Sequence, residues 1–329
     1  MRAYLSNAPR RSRSLRGRGG YAAAGEGAID AVIETSGLSK RFRKRVAVHP
    51  IDLSVPPGTL FGYLGPNGAG KTTTIRMLLG LARPSAGSAR MLGREVPKGL
   101  AAIRMQLGSV LENPAFYPRI SARENLRILA RTAADSDALT LVDPLLERLG
   151  LGDRAKDKVR TYSHGMRQRL GLAAALLHNP DVIVLDEPAT ALDPAGIRDV
   201  RGLLSALRDE GKTIFISSHL LSEVEQLCDH VCVVSKGRQV YQGTLAGLTA
   251  RAVAKVRVEV ERIDDAEAAL RALGWAVERE PDALLVDGVP PGEVNRALAD
   301  RGLYAHGLAG QSRKLEDVFL ELTEEPPAS

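Results

Sequence analysis

Between residues 33 and about 247, short apolar runs alternate with helix-length amphipathic stretches. The strand-like runs are 60–64, 107–111, 182–185, 213–216 and 231–234, and helical patterns occupy 71–81, 123–132, 195–208 and 220–228. Buried apolar strands separated by helices predict an α/β domain built on a mainly parallel sheet. After Thr249 the pattern changes. Strand candidates at 253–260, 275–277, 284–286 and 303–308 enclose helical stretches at 266–273 and 293–301. That β-α-β-β-α-β order predicts a small C-terminal α+β ferredoxin-like unit, closed by a helix over 315–322. The expected organisation is therefore a tail (1–30), an α/β domain (31–249) and an accessory domain (250–329). No apolar run reaches the roughly 18 residues that a membrane-spanning helix needs, the best being 170–177.

Composition sharpens this picture at one end of the chain. Of 329 residues, 44% are hydrophobic and 26% charged, a globular balance, and two cysteines exclude a disulfide scaffold. The formal charge of +6 would suggest a nucleic-acid partner if it were spread over the domains. It is not. Arg2, Arg10, Arg11, Arg13, Arg16 and Arg18 lie in a stretch without any Asp or Glu, and the rest of the chain carries equal numbers of basic and acidic residues. No nucleic-acid partner is expected. The tail lacks apolar periodicity and should be disordered; Arg10-Arg11 has no apolar segment behind it to make a secretion signal. Such a tail can rest on an anionic membrane surface, with about 1 kcal/mol of attraction per basic residue. The ordered pattern begins near Val32, and valine codons can start bacterial translation, so N-terminal sequencing decides whether the native protein carries the tail. Deleting residues 1–25 is expected to leave the activity of the domains that follow unchanged; a large loss would overturn that assignment.

The chemistry begins at Gly65-Pro66-Asn67-Gly68-Ala69-Gly70-Lys71-Thr72, which matches G-x-x-x-x-G-K-[ST] between a strand and a helix. Glycines let backbone N–H groups turn inward around phosphates, and the helix N-terminus adds partial positive charge. Lys71 supplies a full charge to the β- and γ-oxygens of a nucleoside triphosphate, and the Thr72 hydroxyl can ligate Mg²⁺. A second apolar run ends in Asp186-Glu187. There Asp186 is placed to hold Mg²⁺ through water and Glu187 to orient or deprotonate an attacking water. Cys228, His230 and Cys232 read as packing residues, because a zinc site needs four suitably spaced ligands.

Many nucleotide hydrolases share a phosphate loop, so Tyr162-Ser163-His164-Gly165-Met166-Arg167-Gln168-Arg169-Leu170 discriminates among them. It resembles the Leu-Ser-Gly-Gly-x-x-Gln signature of ATP-binding cassette proteins. Ala191-Leu192-Asp193 is similar to the family's D-loop and Ser217-Ser218-His219 to its switch-histidine segment. The resemblance covers about residues 32–247 and implies a P-loop NTPase cassette with added antiparallel and helical subdomains. It further implies that Phe42 stacks on adenine, that Thr73, Gln168 and Asp193 join the nucleotide contacts, and that His219 holds Glu187 and the water in place. In the family two cassettes meet head to tail, which places Ser163 and Gly165 on the partner's γ-phosphate, at a helix starting near Met166. A homodimer around two ATP molecules and two Mg²⁺ ions follows.

Two positions depart from the family pattern: Glu112 stands where a Q-loop glutamine that reaches Mg²⁺ is expected, and His164 replaces the first signature glycine. The segment around Glu112 and the signature together resemble cassettes of bacitracin-type and lantibiotic-immunity exporters, and Leu315-Glu316-Asp317-Val318-Phe319-Leu320 resembles the end of daunorubicin-type drug-export cassettes. The resemblance thus implies an export ATPase at the cytoplasmic face of a membrane, driving a separate permease of about six spanning helices. Residues 116–129 then include the surface that receives the permease. The alternatives are a soluble cassette ATPase acting on ribosomes or in DNA repair, and a nucleotide-dependent binding module of low turnover, the latter motivated by Glu112.

Overall fold

The computed structural model describes residues 30–111, 114–132, 136–190, 192–250, 253–312 and 315–324. Residues 1–29 of the tail, Glu112 and Ala191 lie outside the described residues. In chain order the elements are β1 (Ile33–Phe42), β2 (Arg45–Ile51), β3 (Ser54–Val55), β4 (Leu60–Leu64), α1 (Lys71–Leu78), β5 (Ala86–Met91), β6 (Arg94–Glu95), α2 (Leu100–Ile103) and β7 (Leu107–Val110). Three helices follow, α3 (Ala122–Thr132), α4 (Ser136–Arg148) and α5 (His164–Leu176). The chain then returns through β8 (Val182–Asp186), α6 (Pro194–Asp209), β9 (Thr213–Ser218), α7 (Leu221–Leu227), β10 (His230–Ser235), β11 (Arg238–Thr244) and α8 (Leu245–Ala250).

The central sheet has the order β11-β10-β4-β9-β8-β7. All its pairs are parallel except the β10–β11 hairpin. Strict alternation along buried strands splits the interior into two cores. Leu60, Leu64, Ile183, Leu185, Ile214 and Ile216 face the helices on one side. Phe61, Tyr63, Val184, Phe215 and Cys232 face α1 and the antiparallel sheet on the other. Phe215 stacks on Phe61 with centroids 5.6 Å apart, locking β4 to β9. Burial pushes the Tyr63 hydroxyl far above its usual pKa, so it stays protonated and pairs with Thr74 Oγ1 at 3.2 Å. It ties the strand before the phosphate loop to the helix after it.

The antiparallel sheet runs β2-β1-β5-β6, with β3 also on β1. Its strands escape a reading by periodicity because β1 is half exposed and its pairing with β2 shifts register twice. A bulge breaks the period of two. The helical layer of α3, α4 and α5 includes one element the pattern does not predict, α4, whose internal Pro144 argues against a helix. Ser121 accepts from Glu124 N at 3.1 Å to start α3, an arrangement with the spacing of a capping box. Buried Asn125 accepts from Tyr117 N at 2.8 Å and donates to the Tyr117 and Ser121 carbonyls, pinning residues 117–121 against the helix.

Beyond the cassette come β12 (Val253–Val260), α9 (Ile263–Arg271), β13 (Val277–Arg279), β14 (Leu284–Asp287), α10 (Pro291–Ala299), β15 (Ala305–Ser312) and α11 (Leu315–Glu324). The strands form an antiparallel sheet of order β13-β14-β12-β15. Val256, Val258, Leu284 and Val286 pack with Ala266, Leu270, Val294 and Leu298 of the two helices in a core of their own. The final helix returns to the cassette. Val318 is buried among the residues of the helix-side core, and Ser235 Oγ donates to the Thr323 carbonyl at 2.9 Å.

Candidate functional site

At the C-terminal edge of the central sheet, where open α/β sheets bind ligands, a cleft of about 580 Å³ is lined by residues from four segments. Phe42, Arg45 and Ala47 come from β1 and β2, and Asn67, Gly68, Gly70, Lys71, Thr72 and Thr73 from the glycine loop and α1. Glu187 and Thr190 follow β8, and His219 follows β9. Arg45, Ala47 and Thr190 are additions that no motif marks. Their only sequence signal is proximity: two lie just after Phe42, and Thr190 stands three residues after Glu187.

The loop owes its shape to glycine at two points. Gly68 and Gly70 have φ of 81° and 98°, the left-handed region that side chains disfavour. A Cβ on Gly70 would stand 2.7 Å from the Ala47 carbonyl oxygen. Gly65 is confined differently, since its Cβ would meet the Val234 carbonyl at 2.3 Å. Pro66 and Ala69 complete the loop, with Ala69 N donating to the Pro66 carbonyl at 3.1 Å. The helix after the loop is shorter than the pattern predicts, because backbone bonds from residues 79–82 back to Ile75, Arg76 and Met77 close it at Leu78.

Lys71 is 6% exposed and donates to the Gly65 carbonyl at 2.6 Å and the Pro66 carbonyl at 3.3 Å. Its ammonium also lies 3.2 Å from Glu187 Oε1. Glu187 Oε2 accepts from Thr190 Oγ1 at 3.1 Å and is 2.6 Å from His219 Nδ1. A carboxylate can only accept when ionised, so in that state Nδ1–H is the donor of this contact. Glu187 has φ of 53°. This left-handed backbone turns it off the path of β8, so that two successive carboxylates serve different places.

Asp186, the last residue of β8, is fully buried. Its Oδ1 accepts from Ser217 Oγ at 2.5 Å, whereas its Oδ2 has no hydrogen-bond partner. Asp186 is not among the residues that line the cleft, but it adjoins Glu187, which shares the cleft with Thr72. A buried carboxylate oxygen left over there suits Mg²⁺, which takes few protein ligands and keeps water and phosphate oxygens for the rest. Among the described residues no group of three or more His, Cys, Asp or Glu could hold a metal by itself. Cys228 and Cys232 are buried free thiols, pushed well above their usual pKa by burial.

The signature stands elsewhere. The helix α5 starts at His164, two residues earlier than Met166, because Ser163 caps it by accepting from Met166 N at 3.2 Å. Gly165 packs under Leu192, whose Cδ2 lies 3.0 Å from where a Cβ would be. Gln168 is buried and its Nε2 has no partner. Asp193 caps α6, accepting from Gly196 N at 2.9 Å. None of Ser163, Gly165, Gln168 and Asp193 lines the cleft that contains Lys71.

A glycine loop between strand and helix, with a buried acidic strand end beside it, defines a P-loop nucleotide hydrolase. Residues 48–190 match the ABC transporter family. The chain is 37% identical over 303 residues to the bacitracin transport ATP-binding protein BcrA of Enterococcus faecalis, spanning 89% of this chain and 97% of that one. It is 38% identical over 301 residues to the Nod factor export ATP-binding protein I of Cupriavidus metallidurans, spanning 90% and 98%. A solved ATP binding subunit of an ABC transporter superposes with a TM-score of 0.62 at 27% identity, over 67% of this chain and 93% of that one. The chain belongs to the ATP-binding subunits of ABC transporters and is an ATPase of that family. Membership implies a membrane permease as partner and pairing of cassettes. Among the described residues no helix is long and apolar enough to cross a membrane.

Proposed function

We propose that two copies of this chain close head to tail around two ATP molecules at the cytoplasmic face of a membrane. Their closing and opening drives an export permease. The observation that carries this reading is the division of the site: Lys71, Glu187 and His219 line one cleft, while Ser163 and Gly165 stand outside its lining at the N-terminus of α5. A second copy can supply that helix terminus, whose N–H groups attract a γ-phosphate.

In the closed pair Phe42, half exposed at the cleft, stacks on adenine, and the loop with Lys71, Thr72 and Thr73 holds the phosphates. Thr72 and Asp186 hold Mg²⁺, with Glu112 at the Q-loop position, and the ion offsets phosphate charge when bound. Glu187 takes the proton of the attacking water, while His219 and Thr190 keep its carboxylate aimed. Gln168 and Asp193, which lie outside this chain's own cleft, join the nucleotide contacts across the closed pair. The segment from β12 to β15 is a ferredoxin-like accessory unit, which the helix α11 leaves to pack on the cassette. The relatives' names support export, and the bacitracin name supports an antibiotic, peptide or drug as cargo.

Cross-linking tests the arrangement. In a Glu187→Gln background, chains carrying Asn67→Cys mixed with chains carrying Ser163→Cys should give an oxidised heterodimer on gels when ATP is added, and little without it. Absence of that band under ATP would refute the head-to-tail site.

A further inference from the structure

β9 lies between the loop-bearing β4 and the acidic β8, and its register sets Ser217 beside both Tyr63 and Asp186. Ser217 is fully buried, and its hydroxyl has two partners in the site. It donates its only proton to Asp186 Oδ1 at 2.5 Å and accepts from Glu187 N at 3.1 Å. The same Glu187 N–H lies 3.2 Å from the Ser217 carbonyl. One side chain therefore grips a carboxylate and the backbone of the next residue.

We propose that Ser217 is a positioning residue for ATP hydrolysis, ordering the Asp186 carboxylate for Mg²⁺ and holding Glu187 in its left-handed turn. The proposal rests on the reading of Asp186 as a metal ligand. The hydroxyl occupies one carboxylate oxygen and fixes the plane of the group, which leaves Oδ2 as the acceptor without a protein partner. The grip on Glu187 N does a second job. A glutamate at φ of 53° is strained, and its N–H, caught by two oxygens of Ser217, keeps the turn in which its carboxylate meets Lys71 and His219. The neighbouring Ser218 works on the far side: its hydroxyl accepts from Leu220 N at 3.0 Å and donates to buried Glu223 at 2.7 Å, fixing the turn that carries His219. These serines thus have separate tasks, and only the Ser217 hydroxyl touches the acidic pair.

The test is the gain in ATP affinity that Mg²⁺ confers, measured by calorimetric titration of the full chain with ATP in Mg²⁺ and in EDTA. Partners that orient a metal ligand typically contribute ten- to a hundredfold in metal affinity or activity. Ser217→Ala is therefore expected to lose roughly tenfold of the Mg²⁺ gain and of kcat, with ATP affinity in EDTA unchanged. Ser217→Thr, which keeps the hydroxyl, should recover both. Asp186→Asn tests the underlying reading. If it keeps the full Mg²⁺ gain, that reading fails; if it loses the gain while a folded Ser217→Ala keeps both gain and kcat, the inference about Ser217 alone falls. Should Ser217→Ala not fold, Ser217→Cys replaces it, and an unchanged Mg²⁺ gain there counts equally against the proposal.

Discussion

Replacing Glu187 by glutamine is expected to lower kcat by a factor of about 10² to 10⁴, the usual contribution of a general base, and to leave ATP bound in a stable dimer. The substitution keeps the shape and most contacts of the side chain. An amide oxygen can still face Lys71, now 3.2 Å from Oε1, and the amide nitrogen can face His219 only if the ring proton moves off Nδ1. What is lost is the capacity to take a proton from water. Binding should therefore survive while turnover does not, so kcat falls with little change in KM. Phosphate release and light scattering in Mg-ATP check the two halves of the statement. Undiminished turnover would end the assignment of Glu187 as the base.

The second large effect is on binding. Lys71→Ala should weaken ATP by roughly tenfold to more than a hundredfold, since hydrogen bonds to charged groups contribute about 1.5–3 kcal/mol each. Lys71 is buried and held at the loop by the Gly65 and Pro66 carbonyls, and a phosphate oxygen would take the place that Glu187 Oε1 now has as its third partner. Removing it also leaves Glu187 Oε1 without its cation. Lys71→Arg should rescue poorly, because a planar guanidinium cannot replace a compact ammonium held by the Gly65 and Pro66 carbonyls. Calorimetric titration with ATP in EDTA isolates this effect from the metal. Affinity within twofold of the parent chain would show that the loop binds phosphate without Lys71.

Much of this site is legible along the chain because its pieces are contiguous. Gly65 to Thr72 declares itself by spacing and by the strand and helix around it, and Asp186-Glu187 by closing an apolar run. The antiparallel sheet is less legible: β1 carries polar residues on both faces and pairs with bulges. Thr190 and Arg45 belong to no motif and enter the cleft only through folding. The C-terminal segments follow the predicted order, with the last strand displaced to Ala305–Ser312. Short strands at domain edges have few residues to show a period, so their limits are set by pairing.

What the sequence by itself determined is the class of chemistry: a phosphate loop, an acidic strand end and a signature in the order of the ABC cassettes. Local geometry suffices for that, since a glycine's freedom or a strand's alternation depends on immediate neighbours. Only the tertiary structure decided which of these pieces share one cleft. Sheet order places β9 between the loop and the acidic strand, so Ser217 reaches Asp186 and His219 reaches Glu187. It also leaves Ser163 outside that cleft. Strand order joins Ser217 to Tyr63, more than a hundred positions before it, and to Asp186 across a whole helix, and no local pattern encodes that adjacency.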